Sequence, residues 1–314
     1  MNDVRNIVVA LDFSPSSRDA LRQAQRIAAW GGATLRAIHV VDVPAFRPTP
    51  PALFPFPLPT QTDLVEAARD RLEEFTQGLG GGGMPEVEFR VGSPAIEIAE
   101  YARGSDLLVM GTHSVHDERR GVGTIAAACV RRADCGVLLV QRGQDGPFRK
   151  VAAFVDFSET SHEVLEKAIR VAARDGASLS IVHVYDDPWS GRRPGGAVAD
   201  NMPEFRAKYR EAVEERLRSF CEPVAREVGA LRAVYRGIEH NRGWEGYAWG
   251  LVRFIHDEEV DLAILGTRGN WNPRDFLMGS TAERVVRDAR CSIIALKGAR
   301  VANRPEAASP PEAS

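Results

Sequence analysis

No stretch of the sequence holds about eighteen uninterrupted apolar residues, so a membrane-crossing helix is not encoded. Cysteine is scarce. Cys129, Cys135, Cys221 and Cys291 form no CxxC pair, which argues against a zinc site or a disulfide framework and leaves them as small apolar packing residues. Neither sign of charge dominates, since 40 Lys and Arg face 43 Asp and Glu for a formal net charge of −3. That balance gives no electrostatic case for nucleic acid or an anionic membrane surface. Three catalytic or cofactor signatures are also missing. Without GxxxxGK[ST] there is no P-loop lysine, without GxGxxG after the first strand no dinucleotide fingerprint, and without GxSxG no nucleophile elbow. No basic leader precedes the strand-like run Ile7 to Leu11, so a cytoplasmic location is expected.

What is present repeats itself. The 314 residues are too many for one α/β core and suit two of roughly 150 each. Asn6–Leu11 followed by Asp12-Phe13-Ser14 is answered by Lys150–Val155 followed by Asp156-Phe157-Ser158. His39-Val40 is answered by His183-Val184, at the same offset of 144 as Asp12 and Asp156. Asp106–Thr112 matches Asp261–Thr267 at an offset of 155, so eleven extra residues lie between the second and fourth strands of the second copy. Ala133–Val140 matches Ala289–Leu296. Four blocks in one order point to duplication.

Within each copy, short Val- and Ile-rich runs alternate with longer amphipathic stretches. Strands are expected near 6–11, 34–41, 86–91, 106–111 and 136–141, and again near 150–155, 178–184, 231–236, 260–266 and 292–297. Helices of the first copy are expected near 15–30, 61–78, 94–104 and 123–133. The runs are almost continuously apolar, as in strands covered on both faces, and the alternation implies parallel sheets with right-handed crossovers. Ser14–Ser17 and Ser158–Ser161 stand where hydroxyls cap the first helix of each copy. Pro44–Pro59, with three Phe and two Leu, reads as a loop or flap that packs on a partner surface or over a pocket, and Ser190–Gly196 as a mobile lid. Trp249, Arg253 and His256 share a helical face, read as core or interface, and Trp244 precedes them in the same region. His39 and His183 end buried strands and read as structural. The tail 299–314 has little to bury and is expected to be disordered.

The chemistry concentrates after the fourth strand of the second copy. Gly266-x2-Gly269-x9-Gly279-Ser280-Thr281 opens a helical run, and bare backbone lets successive N–H groups converge on phosphate oxygens. The helix N-terminus adds free donors and about half a positive charge. At about 1.5–3 kcal/mol each, three or four hydrogen bonds to phosphate support micromolar binding once ordering costs are subtracted. The carboxyl end of a parallel strand is where open α/β sheets bind ligands.

These four features, the strands ending in Asp-Phe-Ser and in His-Val, the G-x2-G-x9-G-S loop and the final Cys-x-Ile-Ile strand, resemble the universal stress protein family over residues 4–142 and 149–298. The resemblance implies two tandem Rossmann-like domains of the adenine nucleotide alpha hydrolase-like kind, 1–143 and 148–298. Each would be a five-stranded parallel sheet with helices on both faces, the two related by a pseudo-twofold axis with Val137–Val140 paired to Ile293–Leu296. In ATP-binding members the corresponding residues hold the nucleotide, which transfers ribose contact to Asp156, a main-chain adenine contact to Val184, and ribose and phosphate contacts to Gly266, Gly269, Gly279, Ser280 and Thr281. The first copy departs from the pattern. Asp12, Val40, Gly111, Gly123 and Thr124 are in place, but Ser114 stands at the second glycine and the spacer is eight residues, so a degenerate site is expected there. His113, His116, Asp117 and Glu118 in that loop read as solvated surface in preference to a metal site.

The function implied is ATP binding, with or without Mg2+, by a regulatory protein of the stress response whose hydrolysis, if any, is slow. The alternatives are a scaffold in which nucleotide binding has lapsed and a weak ATPase. Expected partners are an adenine nucleotide, the other domain of the chain, and a second copy or another protein. Nucleic acid and membranes are not expected.

Overall fold

The computed structural model describes residues 4–42, 60–77, 79, 83–113, 122–186, 188, 202–240, 246–267 and 278–298. The Pro/Phe segment 44–59, the lid 190–196, the loop residues Ser114 and Gly269, Trp244 and the tail 299–314 lie outside them.

In the first half the elements run β1 (Asn6–Leu11), α1 (Pro15–Gly31), β2 (Thr34–Asp42), α2 (Gln61–Gln77), β3 (Val87–Gly92), α3 (Pro94–Tyr101), β4 (Leu107–Gly111), α4 (Thr124–Arg132) and β5 (Gly136–Val140). In the second half they are β6 (Lys150–Phe154), α5 (Glu159–Asp175), β7 (Ser178–Asp186), α6 (Met202–Phe220), α7 (Ala225–Ala230), β8 (Val234–His240), α8 (Gly246–Asp257), β9 (Leu262–Gly266), α9 (Ser280–Asp288) and β10 (Ser292–Leu296). The expected strand near 231–236 begins later. Leu231 and Arg232 instead close α7, with Arg232 at a φ of +50°, and β8 starts at Val234. The short α7 and the one-turn helix before it occupy part of the insertion that the changed offset revealed.

The ten strands among the described residues form one sheet in the order β3-β2-β1-β4-β5-β10-β9-β6-β7-β8. Each half is parallel within itself, and the halves meet antiparallel at the centre through Val137↔Ala295, Leu138↔Ile294 and Leu139↔Ile293. The expected pairing of the fifth strands is therefore present. Its geometric consequence is that the carboxyl ends of the two sets of strands lie on opposite edges of the sheet.

The strands alternate between two apolar layers that each run through both halves. Val9, Leu138, Ala153, Ile264 and Ile294 face the layer of α1 and α5, while Val8, Leu139, Ala152, Ala263 and Ile293 face that of α3, α4, α8 and α9. The core is thus continuous across the duplication. α1 buries Ala20, Leu21, Ala24 and Ile27 at helical spacing, begins at Pro15 with Ser14 as its cap, and ends at Gly32 in the left-handed region. α5 ends in the same way at Gly176. The linker is fixed by the buried Gln23, whose amide donates to the carbonyls of Gln144 (2.9 Å) and Gly146 (2.6 Å). All four cysteines are free and buried, as expected of packing residues, and burial pushes the Cys129 and Cys291 thiols up to about 12. None of the described helices is long and apolar enough to cross a membrane.

The face bearing Trp249, Arg253 and His256 is not core. α8 buries Ala248, Leu251 and Ile255 instead, leaving Trp249 42% exposed with the Arg253 guanidinium 5.2 Å from its ring centroid.

Candidate functional site

β6 lies between β7 and β9, with Phe154 in register with Val182 on one side and Leu265 on the other. Two residues further along, Asp156 therefore stands level with Val184 and beside Gly266 and Thr267, with neighbouring strands about 4.8 Å apart. The chain then leaves the described residues and returns at Met278. Gly279 N–H donates to Thr267 O at 2.8 Å, which seats the start of α9 against the end of β9. Thr267 is itself buried, with N–H and Oγ1 both donating to Leu296 O (2.8 and 3.1 Å). Gly279 is the cap residue of α9 and supplies no side-chain acceptor, so among the described residues no side chain caps the helix start, whose backbone donors lie alongside Ser280 and Thr281.

Asp156 is positioned by the turn that follows it. Ser158 N–H donates to its Oδ1 (3.1 Å), and Phe157 between them adopts a φ of +62°. Such a conformation is uncommon for a bulky residue and costs of order 1–3 kcal/mol, so the surrounding contacts must hold it. Phe157 packs against His183, 4.4 Å between ring centroids, and lies under the Arg216 guanidinium at 4.3 Å. His183 is a structural residue, as expected. Its Nδ1–H donates to Val155 O at 2.8 Å, and burial holds its pKa below the ordinary value despite that bond.

The first half repeats this geometry. Ser14 N–H donates to Asp12 Oδ1 (3.0 Å), Phe13 has a φ of +63° and stacks on His39 at 4.3 Å, and His39 bonds Leu11 O at 2.8 Å. Asp12 is level with Val40 and near Gly111, while Gly123 N–H donates to Thr112 O at 2.7 Å ahead of Thr124, the first residue of α4. A model of the universal stress protein family matches the chain twice, over residues 3–141 and 147–297. The chain belongs to that family.

Among curated universal stress proteins, one of Mycobacterium tuberculosis is 25% identical over 307 residues, covering 93% of this chain and 96% of the relative. Another from the same organism is 24% identical over 304 residues, with 92% and 95% covered. Among solved structures, a universal stress protein of Archaeoglobus fulgidus superimposes with a TM-score of 0.60 at 17% identity, covering 95% of this chain and 97% of that one. A functionally unknown protein of Pseudomonas aeruginosa gives 0.61 at 17% identity, covering 95% and 94%. At that identity these structures establish the tandem fold and no more.

In this universal stress protein the described candidates Asp156, Val184, Gly266, Gly279, Ser280 and Thr281 gather on one sheet edge, and Asp12, Val40, Gly111, Gly123 and Thr124 gather on the opposite edge. Gly269 and Ser114 fall outside the described residues. The copies differ where the serines cap. Ser14 Oγ accepts from Ser17 N at 3.1 Å in the first half. In the second, Ser158 makes no such bond to the helix start. Ser161 Oγ instead donates to Asp156 Oδ1 (2.7 Å) and accepts from Asp156 N–H (2.9 Å). Sequence reasoning missed Ser161 and Thr267 as residues that shape the site, although both stand inside blocks it had aligned.

Proposed function

We propose that the C-terminal half binds ATP, with Asp156 at the ribose, the Val184 main chain at the adenine, and Gly266, Gly269, Gly279, Ser280 and Thr281 around the ribose and phosphates. The observation that carries this reading is the uncapped start of α9, seated by the Gly279–Thr267 bond beside Asp156 and Gly266. Free N–H groups and the helix dipole suit an anion, and a carboxylate one strand away suits the hydroxyls of a sugar. A magnesium ion accompanying the nucleotide would draw its ligands from phosphate oxygens and water. Among the described residues no group of three or more His, Cys, Asp or Glu side chains forms a metal site of its own.

Binding, more than turnover, is the output of this reading. His183 is committed to Val155 O and Asp156 to Ser158 and Ser161, so neither is poised as a base for attacking water. The nucleotide would act as a regulatory ligand, in units spanning 1–143 and 148–298, of which the first carries the degenerate loop. Calorimetric titration of the full chain with ATP tests the proposal. Micromolar binding that is lost in Gly269→Val supports it, and a wild-type chain indifferent to millimolar ATP rejects it.

A further inference from the structure

β7 and β8 end together, with Asp186 in register with His240. The carboxylate of Asp186 holds two rings at once. His240 Nδ1–H donates to Oδ1 at 3.0 Å, and the Tyr247 hydroxyl, from the first turn of α8, donates to Oδ2 at 2.5 Å. The two rings stack, with centroids 4.5 Å apart and planes inclined by 26°. Because a carboxylate only accepts, both rings are fixed in orientation by one side chain. Tyr247 remains 39% exposed, and the other nitrogen of His240 is buried without a partner among the described residues. An unpaired buried polar atom lowers stability, so fold stability alone does not explain this arrangement.

Among the described residues the first half has no such plate. Asp42, the equivalent of Asp186, is in register with Gly92, and α3 opens with Pro94 where α8 opens with Gly246 and Tyr247. Among the described residues the aromatic pair is therefore present in the half that carries the G-x2-G-x9-G-S loop and missing from the half that does not. Asp186 also lies two residues beyond Val184 on the same strand, about 7 Å further along and on the same face of the sheet.

We propose that the Tyr247 ring, held by Asp186 and His240, is the wall on which the nucleobase of the C-terminal site stacks, giving that site a preference for purine over pyrimidine nucleotides. The inference rests on the ATP-binding reading of the same site. A ring fixed before binding loses little freedom when a base settles on it, and the larger purine covers more of it than a pyrimidine does.

The test compares wild type, Tyr247→Ala and Tyr247→Phe, each first shown by circular dichroism to be folded, in calorimetric titrations with ATP, CTP and inorganic tripolyphosphate. Tyr247→Ala is expected to weaken ATP about tenfold, to narrow the preference of ATP over CTP, and to leave tripolyphosphate unchanged. Tyr247→Phe, which keeps the ring, is expected to restore most of the ATP affinity, and His240→Ala, which loosens the ring's support, to fall between. Wild-type ATP affinity in Tyr247→Ala, or equal losses of ATP and tripolyphosphate, would overturn the wall while leaving nucleotide binding intact. A wild-type chain that binds neither ligand would instead reject the underlying site, and the wall with it.

Discussion

Arg26 of α1 and Asp175 of α5 form an ion pair that joins the two halves beneath the sheet, with the Asp175 side chain only 2% exposed. The second carboxylate oxygen of Asp175 accepts from Phe148 N–H at 2.8 Å, and the Phe148 ring lies 5.4 Å from the Arg26 guanidinium. One acid thus secures the helix of one half and the linker entering the other. Removing one partner of a buried pair strands the remaining charge, at a cost of about 3–5 kcal/mol. Asp175→Ala is expected to lower the urea midpoint accordingly. Replacing both residues by apolar ones, Arg26→Met with Asp175→Leu, should recover much of the loss. Because both apolar layers cross the central strands, unfolding of wild type followed by circular dichroism and by Trp fluorescence should give coincident transitions.

Two glycines of the loop pattern, Gly111 at the end of β4 in the first half and Gly279 at the start of α9 in the second, separate packing from binding. A β-carbon on Gly111 would lie 2.5 Å from Ser16 Oγ and 2.9 Å from the Ser16 carbonyl carbon, so backbone would have to shift. Gly111→Ala is expected to cost about 1–3 kcal/mol and to depress Tm. At Gly279 the nearest described atom to such a carbon is Thr267 O at 3.6 Å, and the backbone is extended with φ −62° and ψ 143°. Gly279→Val should therefore fold with a loss of about 1 kcal/mol or less, yet fail to bind ATP, because its side chain would occupy the approach to the uncapped helix start. Thermal melts and calorimetry on the two variants read the contrast directly.

How much of this could be read in the sequence depends on whether a feature is periodic or cross-strand. Continuous apolar runs and helical stripes are local, so both sets of strands could be inferred from them, whereas the central β5–β10 pairing and the grouping of Asp156, Val184 and Gly266 came from the family resemblance. β8 was misplaced because Ala233 to Tyr235 continues the apolar pattern of Leu231, while the positive φ at Arg232 that ends α7 leaves no composition signal. The exposed face of α8 was misread because Trp249 and Arg253 satisfy helical spacing on the wrong side of Leu251. The Ser161–Asp156 bond and the Asp186–His240–Tyr247 cluster depend on register and on the direction of side chains, which spacing along one chain does not carry.

Acid should weaken the fold through its two strand-end histidines. Burial holds His39 and His183 below their ordinary value of 6.5, outweighing the carbonyl bonds from Leu11 and Val155 that favour the charged rings. In the unfolded chain these rings take up protons near pH 6.5, whereas the folded chain resists protonation until lower pH. Their contribution to stability is therefore complete above that value and is lost as pH falls from it towards the folded pKa values. Urea midpoints are expected to be flat between about pH 8 and pH 7 and to decline towards about pH 5.5. His39→Asn with His183→Asn, which keeps a donor for each carbonyl, should shrink that decline. An undiminished decline in the double variant would place the acid sensitivity elsewhere.

The two edges of the sheet should differ in what they bind even though their first turns are alike. Asp12 and Asp156 each accept from the N–H two residues on, but among the described residues only Asp156 is also braced by a serine hydroxyl, and only its half carries a glycine at the second loop position. On the ATP-binding reading, Ser114 in place of a glycine would hinder the approach of backbone to phosphate, and the antiparallel centre of the sheet keeps the two edges apart, so one cannot complete the other. Titration of the full chain should then give one ATP per chain. Asp156→Ala is expected to weaken binding by at least tenfold, because a ribose hydroxyl bonded to a carboxylate contributes about 1.5–3 kcal/mol. Asp12→Ala should leave the affinity and the stoichiometry unchanged, and a stoichiometry of two that falls to one in Asp12→Ala would assign a working site to the first half.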